Sequence, residues 1–249
     1  MNSARWPVTR SSQENTETET WKYEKPNYSK RSTSFNICAF VSVALCLFKT
    51  MKIVIATTNQ NKLRELKELL RDLPVELLSL RDFPECPAVV EDGKSFVENA
   101  LKKARAICAH TGMVTIADDS GLEVDCLSGR PGIYSARFAG DGADDRENYK
   151  KLLREMQGVK PEERGARFCC VLAIVSPEET EKVVTGEYRG AIITDARGHN
   201  GFGYDPVFLD TASGLSFAEM SPEQKNKISH RARALKQLLK LLPDFLNAC

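Results

Sequence analysis

The sequence lacks an excess of charge of either sign. Its 249 residues include 35 Lys and Arg against 34 Asp and Glu, which gives a net charge of +1. Proteins that bind the nucleic-acid backbone usually carry a clear basic excess. The balance therefore predicts that nucleic acid is not a partner, and any phosphate chemistry must depend on a local group of residues.

The sequence also lacks the C-x-x-C spacing of zinc sites and thiol redox motifs, although it contains eight cysteines. The cysteines are scattered, and Cys169 and Cys170 are adjacent within an apolar run. Scattered cysteines of this kind are typical of reduced, buried thiols that pack as small hydrophobic side chains. This pattern predicts a cytoplasmic protein without a disulfide framework.

No apolar run has the length of a comfortable membrane helix, which needs about 20 residues. The run from Phe35 to Phe48, FNICAFVSVALCLF, has 14 uncharged residues. Lys30 and Arg31 precede it as in a signal peptide, but it lies far from Met1 and no small-residue cleavage site follows. We predict that the protein has no membrane partner, and a form anchored through this run is the alternative.

The first 50 residues differ from the rest of the chain. Residues 1–34 are polar and rich in serine and threonine, which is typical of disorder. Met51 directly precedes a strand-like run and is a candidate start. We therefore predict that residues 1–50 are an extension, either disordered or not translated, and that residues 51–249 form the functional domain.

From Met51 onward, strand and helix patterns alternate. Helix starts are indicated at Asn59, at Ser95 with Glu98 completing a capping box, and at Ser221 followed by Pro222 and Gln224. The last helix is predicted to run without a break through KNKISHR. Strands are predicted for KIVIAT, MVTIA ending at Asp118, RFCCVLAIV and EKVVTGEYRGAI, and a helix for residues 144–157. The fold class is therefore α/β, with one mixed sheet.

The first segment with the residues for phosphate chemistry is TTNQNK, where a strand turns into a helix. Free backbone N–H groups at a helix N-terminus attract anions. The hydroxyl, amide and ammonium groups suited to a polyphosphate belong to Thr57, Thr58, Asn59, Gln60, Asn61 and Lys62. The segment lacks the glycines of a Walker loop. The alternative is that Asn59 is only a helix cap and Lys62 only a solvated residue.

Two acidic segments are candidates for a cation site. In ADDSG, Asp118 and Asp119 directly follow an apolar strand, where one carboxylate could hold Mg²⁺ and the same or the next could act as a base. Gly121 is predicted to allow a sharp turn with Ser120 pointing into the site. The alternative is an exposed acidic turn. Glu91 in VVEDG could complete the carboxylate set, although its spacing alone indicates a surface turn.

Two further segments offer groups that suit a nucleotide base. In GFGYDP, Phe202 lies between two glycines on a loop, where a ring can stack on a base; the alternative is that Phe202 and Tyr204 pack into the core. In KNKISHR, the donors Lys225, His230 and Arg231 favour a 6-keto oxygen over the 6-amino group of adenine. A structural role for His230 is the alternative.

Taken in order, six motifs resemble the inosine/xanthosine triphosphate pyrophosphatase family. The motifs are TTNQNK, VEDGKSFVENALKKA, ADDSGL, GRPGIYSARFAG, GHNGFGYDPVF and KNKISHRARAL. They cover nearly all of residues 51–245 and none of residues 1–50. The resemblance implies an elongated α/β fold with two lobes around a nucleotide cleft. It also implies a homodimer that hydrolyses non-standard purine nucleoside triphosphates (ITP, dITP and XTP) between the α- and β-phosphates.

The resemblance also assigns roles to individual residues. Residues 57–62 would hold the triphosphate, Glu91 and Asp119 would hold Mg²⁺, and Asp119 would accept the proton of the attacking water. The substrate contacts would come from Ser120, Phe202, Gly203, Tyr204, Asp205, Lys225, His230 and Arg231. Asn99 and Lys103 match the family's helix without a firm role. Asn61 stands where the family commonly has glycine.

Two other functions compete with this assignment. One is a pyrophosphatase for modified pyrimidine or methylated nucleotides, against which the donors of KNKISHR argue. The other is a regulator that binds a nucleotide without turnover, against which Glu91, Asp118 and Asp119 argue. The sequence does not rank ITP, dITP and XTP, and it does not fix the number of metal ions.

Overall fold

A seven-stranded mixed sheet forms the frame of the protein, and the computed structural model describes residues 51–247. The strands are β1 (Met51–Ala56), β2 (Val75–Ser79), β3 (Val114–Val124), β4 (Gly165–Val175), β5 (Glu181–Ile192), β6 (Phe208–Asp210) and β7 (Leu215–Ser216). Their order is β2-β1-β3-β4-β5-β6-β7, with β1 parallel to β2 and β3 and every later pair antiparallel. The predicted α/β class with one mixed sheet is confirmed, whereas the two-lobe shape stays a prediction.

Five α-helices lie within the described residues, and three of them begin where the sequence places their caps. They are α1 (Gln60–Leu69), α2 (Phe96–Thr111), α3 (Asp145–Glu155), α4 (Pro222–Ile228) and α5 (His230–Asn247). Asn59, Ser95 and Ser221 are the N-caps of α1, α2 and α4. The predicted capping box at Ser95 is incomplete, because the Glu98 carboxylate accepts from the Lys94 N–H instead of that of Ser95.

Apolar side chains pack helices onto both faces of the sheet. On one face, Leu66 of α1 and Leu238 of α5 cover Ile55 and Ile116. On the other face, the small side chains of α2 lie in a second cluster with Val54 and Ala117. A third cluster lies around α3 and includes side chains of β3, β4, β5 and β6. These layers follow from the period-2 exposure of strand side chains and the apolar stripes of the helices.

Strand β3 is longer than the sequence indicates. MVTIA was predicted to end at Asp118, but β3 continues to Val124 and pairs with β4 from Thr115 to Val124. The antiparallel partner strand extends the hydrogen-bond ladder through the two acids. The predicted turn at Gly121 is therefore wrong. Glycine is required there because a Cβ atom would lie 2.4 Å from the Gly132 carbonyl oxygen and 2.6 Å from Ser135 Oγ.

The predicted single C-terminal helix is two helices that meet at Ser229. Ser229 has an extended backbone (φ −58°, ψ 158°) and ends α4. Its hydroxyl then accepts from the Ala232 N–H at 3.2 Å, which caps the start of α5. The break separates Lys225 from His230 and Arg231, which lie at the beginning of α5.

The predictions for residues 1–50, including the apolar run at residues 35–48, lie outside the described residues. Within residues 51–247, no helix is long and apolar enough to cross a bilayer. No disulfide joins the five cysteines of residues 51–247, and Cys108, Cys169 and Cys170 are buried as predicted. Cys126 is exposed, so it is not a core residue.

Candidate active site

Two adjoining cavities form one cleft beside β3 and the N-terminus of α1. The larger, of about 480 Å³, is lined by the carboxylates of Glu91 and Asp119, and the smaller, of about 90 Å³, by Phe202 and the donors Lys225, His230 and Arg231. Asn59, Lys62, Ser120 and Ala136 line both cavities. Hereafter these are the acidic cavity and the donor cavity. Their shared wall makes them two ends of a single binding site.

The structure brings together nearly all of the residues singled out by the sequence. Thr57, Thr58, Glu91, Lys103 and Asp119 line the acidic cavity. The donor cavity is lined by Ser120, Phe202, Gly203, Tyr204, Asp205, Lys225, His230 and Arg231. Gln60 and Asn61 line neither: the Gln60 amide donates to the Thr58 carbonyl, and the Asn61 side chain accepts from Arg64.

The Asn59 cap occupies part of the helix N-terminus. Its Oδ1 accepts from the backbone N–H groups of Asn61 at 2.9 Å and Lys62 at 3.1 Å. Asn59 is therefore confirmed as a helix cap. The expectation that these two N–H groups are free to bind an anion is wrong. Lys62 is not merely solvated, because its Nζ lies 2.6 Å from Asp118 Oδ1 and its side chain is only 15% exposed.

The two adjacent acids point to opposite faces of β3, as side chains alternate along a strand. Asp118 faces α1 and α5 and is completely enclosed by partners: Lys62, the Ser120 hydroxyl at 2.7 Å, and Arg231 Nε at 2.9 Å. Burial alone would raise the pKa of Asp118, but the charges of Arg231 and Lys62 hold it well below its usual range. Asp118 is thus a permanently charged anchor for two cations.

Asp119 faces α2 and the acidic cavity, and it is much less well paired. Its Oδ1 lies 3.2 Å from Lys103 Nζ, while its buried Oδ2 has no hydrogen-bond partner among the described residues. Burial raises the pKa of Asp119 in spite of the nearby Lys103 and Lys62 charges. Such a carboxylate has one oxygen available to a cation or to a water proton.

Glu91 and Asp119 share one cation in the structure, the ammonium of Lys103. Lys103 Nζ lies 2.9 Å from Glu91 Oε1 and 3.2 Å from Asp119 Oδ1. Two carboxylates, one of which has an unpartnered oxygen, fit Mg²⁺. This ion commonly takes one or two protein carboxylates and completes its shell with water and substrate phosphates. No group of three acidic, His or Cys ligands occurs within residues 51–247, so water, and substrate phosphates when they are bound, would complete such a site.

The donor cavity depends on a residue that the sequence analysis did not single out, Glu65 of α1. Its carboxylate bridges Lys225, at 3.1 Å, and Arg231. Burial would raise the pKa of Glu65, but the charges of Arg231 and Lys225 lower it. Asp205 holds Lys225 from the other side at 2.6 Å. Glu65 lies on the same helical face as Lys62, one turn further along, which is the signal that could have identified it.

Of the two aromatic residues predicted at the donor cavity, one is partly exposed and the other is buried in the core. Phe202 is half-buried, and the Lys225 ammonium lies 4.8 Å from its ring centroid. Tyr204 is buried in the core and donates to the Ser135 carbonyl at 2.9 Å, so the core reading is confirmed for Tyr204 alone. His230 stacks on Phe168 at 4.7 Å. Burial lowers the pKa of His230 well below its usual value, so the imidazole is neutral near pH 7.

Known proteins resemble this chain over the part that carries the cleft. The sequence profile of the Ham1 family matches residues 53–241, which include every residue of the cleft described above. The chain belongs to the Ham1 family. The chain is 50% identical to the dITP/XTP pyrophosphatase of Geobacter sulfurreducens over 79% of its own length and 96% of the relative's. The Bacillus licheniformis dITP/XTP pyrophosphatase is 50% identical over 77% of this chain and 97% of its own.

A solved Ham1 protein has the same fold. The structure of a HAM1 protein from Coxiella burnetii superposes with a TM-score of 0.72 and is 40% identical, covering 78% of this chain and all of that one. For this Ham1-family chain, the matches therefore span the sheet, both cavities and the C-terminal helices.

Proposed function

We propose that this Ham1-family protein hydrolyses the non-standard purine nucleoside triphosphates ITP, dITP and XTP to nucleoside monophosphate and pyrophosphate. Water adds to the α-phosphorus, the bond to the bridging oxygen breaks, and pyrophosphate leaves. The observation that carries the proposal is the cleft itself, with a carboxylate pair at one end and hydrogen-bond donors at the other. The relatives named dITP/XTP pyrophosphatase support the substrate class.

The acidic cavity supplies the chemistry in this proposal. Glu91 and Asp119 would hold Mg²⁺, which neutralises phosphate charge when it is bound. Asp119 accepts the proton of the attacking water, for which its unpartnered Oδ2 and raised pKa suit it. Lys62 and Lys103 balance the charge of the phosphate chain.

The donor cavity selects the base. Arg231 and Lys225 are buried donors whose positions are fixed by Asp118, Glu65 and Asp205. Fixed donors can donate hydrogen bonds to a 6-keto oxygen but oppose the 6-amino group of adenine, which is itself a donor. Phe202 stacks on the base in this arrangement.

The setting of the enzyme belongs to the same proposal. We infer a homodimer from the resemblance of the six motifs, and a cytoplasmic enzyme from the scattered spacing of the cysteines in the sequence. Size-exclusion chromatography with light scattering tests the first inference, and fractionation of cells that express the full chain tests the second.

The test of the function is pyrophosphate release by the full chain from ITP, XTP and ATP, with Mg²⁺ and with a chelator. We expect rapid release from ITP and XTP, little from ATP, and loss of release with the chelator. Binding without release from any triphosphate would instead support the regulator hypothesis. Release from a modified pyrimidine triphosphate at a higher kcat/KM than from ITP would support the other rival.

A further inference from the structure

Glu91 lies on a segment without regular structure. Residues 83–95 form neither helix nor strand, whereas Asp119 is fixed by the hydrogen-bond ladders of β3. A cation ligand must be held to within a fraction of an ångström for tight binding, and outer groups usually provide that support. The position of Glu91 must therefore come from side chains that contact its own segment.

One buried side chain contacts this segment from α2. The fully buried amide of Asn99 accepts a hydrogen bond from the Gly93 N–H at 2.8 Å. The approach is too close for any side chain on Gly93, because a Cβ atom there would lie 2.6 Å from Asn99 Oδ1 and 2.9 Å from Glu98 Cβ. Gly93, which follows Glu91 by two residues, is thus packed directly against the Asn99 side chain.

The other contacts of the segment are weaker or more exposed. Lys102 and Asp92 form an exposed pair, which contributes little to stability. Arg137, which is half-buried, donates to the Glu91 carbonyl at 3.1 Å. Asn99 is the fully buried contact. Its Nδ2 has no partner among the described residues, which costs free energy that an apolar side chain would avoid.

We propose that Asn99 is a positioning residue for the cation ligand Glu91, an inference that rests on the proposed function. Asn99 acts through the Gly93 N–H and touches neither substrate nor cation. By fixing the end of the tripeptide 91–93 against α2, it keeps the Glu91 carboxylate beside Lys103 and Asp119.

The test measures Mn²⁺ binding to the full chain without nucleotide, by electron paramagnetic resonance. Asn99→Ala should raise the Mn²⁺ dissociation constant about tenfold or more, as loss of outer support does at metal sites. Gly93→Ala should weaken binding similarly from the other side of the contact, and it changes only a half-buried loop residue. In the metal-free protein, hydrogen exchange at the Gly93 amide should speed up in Asn99→Ala.

Asn148 provides a matched control. It is also a buried helical asparagine whose Oδ1 accepts a backbone N–H, that of Ala139 at 2.7 Å. Asn148→Ala should lower the melting temperature as Asn99→Ala does, yet leave Mn²⁺ affinity within about twofold of the wild type, because Asn148 bonds to the backbone of Ala136 and Ala139 and not to the Glu91 segment.

The results separate this inference from the proposed function. If the wild type binds Mn²⁺ and releases pyrophosphate, but Asn99→Ala and Gly93→Ala bind Mn²⁺ equally well, the positioning role is overturned and the function stands. Equal weakening in Asn148→Ala would also overturn it, since the cause would be general loosening. Metal-independent pyrophosphate release by the wild type would overturn the metal role and this inference together.

Discussion

Asp118 and Asp119 are neighbours in the sequence, but the two faces of β3 give them opposite environments. The Asp118 carboxylate is enclosed by Lys62, Arg231 and Ser120, and the charges of Arg231 and Lys62 depress its pKa. Asp119 keeps an oxygen without a partner, and burial raises its pKa. A fully paired carboxylate stabilises the fold, whereas a poorly paired one is available for chemistry. The two faces therefore separate structure from reactivity by a single residue step.

The largest effect should come from removing the reactive carboxylate. We expect Asp119→Asn to lower kcat by at least about ten-thousandfold, because it removes the proposed base and a cation ligand together. Folding should be little affected, since burial already disfavours the Asp119 charge. Pyrophosphate release and a melting curve check both parts. Near-normal turnover would show that the proton acceptor lies elsewhere.

Removing the charge of the enclosed carboxylate, Asp118, should instead have its main effect on stability. Asp118→Asn removes the buried counter-charge of Lys62 and one of the two carboxylates that pair with Arg231, so the free energy of unfolding should fall by about 3–5 kcal/mol. Glu123→Gln is the control, since Glu123 pairs with Arg167 at a more exposed site and should cost about 1 kcal/mol or less. Urea unfolding measures both variants. Equal losses would contradict the contrast between the two faces.

The residues on these faces were predicted from the sequence more completely than their arrangement was. The helix caps at Asn59 and Ser221 and the alternation of strands are local signals, and the structure confirms them. The extension of β3 was not predicted, because it depends on pairing with β4, more than 40 residues away. The break at Ser229 was missed because serine is compatible with both a helix and a cap.

Long-range ion pairs account for the remaining differences. Glu65 contacts Lys225 and Arg231 across 160 or more residues of sequence, so no local pattern places them together. Helical spacing from Lys62 indicates only which face Glu65 lies on. Most of the residues that line the two cavities were thus identified from the sequence, but the counter-charges that hold them require the fold.

A smaller effect should appear when the guanidinium of Arg231, which pairs with Asp118, is replaced by an ammonium of the same charge. Arg231 contacts Asp118, Glu65 and Ser120 through separate nitrogens of its guanidinium. A lysine ammonium cannot span these partners, so Arg231→Lys should reduce the ratio of kcat/KM for ITP over ATP about tenfold. Arg233→Lys is the control, because exposed Arg233 lies outside the donor cavity and should leave the ratio unchanged. An unchanged ratio in Arg231→Lys would mean that the base is selected elsewhere.

The smallest effect concerns His230, an uncharged residue that precedes Arg231, the partner of Asp118, at the start of α5. Burial holds its pKa in the folded protein well below the usual 6.5, so protons bind first to the unfolded chain as the pH falls through 6.5. Stability is therefore lost on acidification, by about 1 kcal/mol between pH 6.5 and 5.5 for this one group. His230→Gln should remove that part of the pH dependence, as measured by urea unfolding at the two pH values. If the free energy of unfolding of the variant depended on pH as that of the wild type does, a group other than His230 would be the one that takes up the proton.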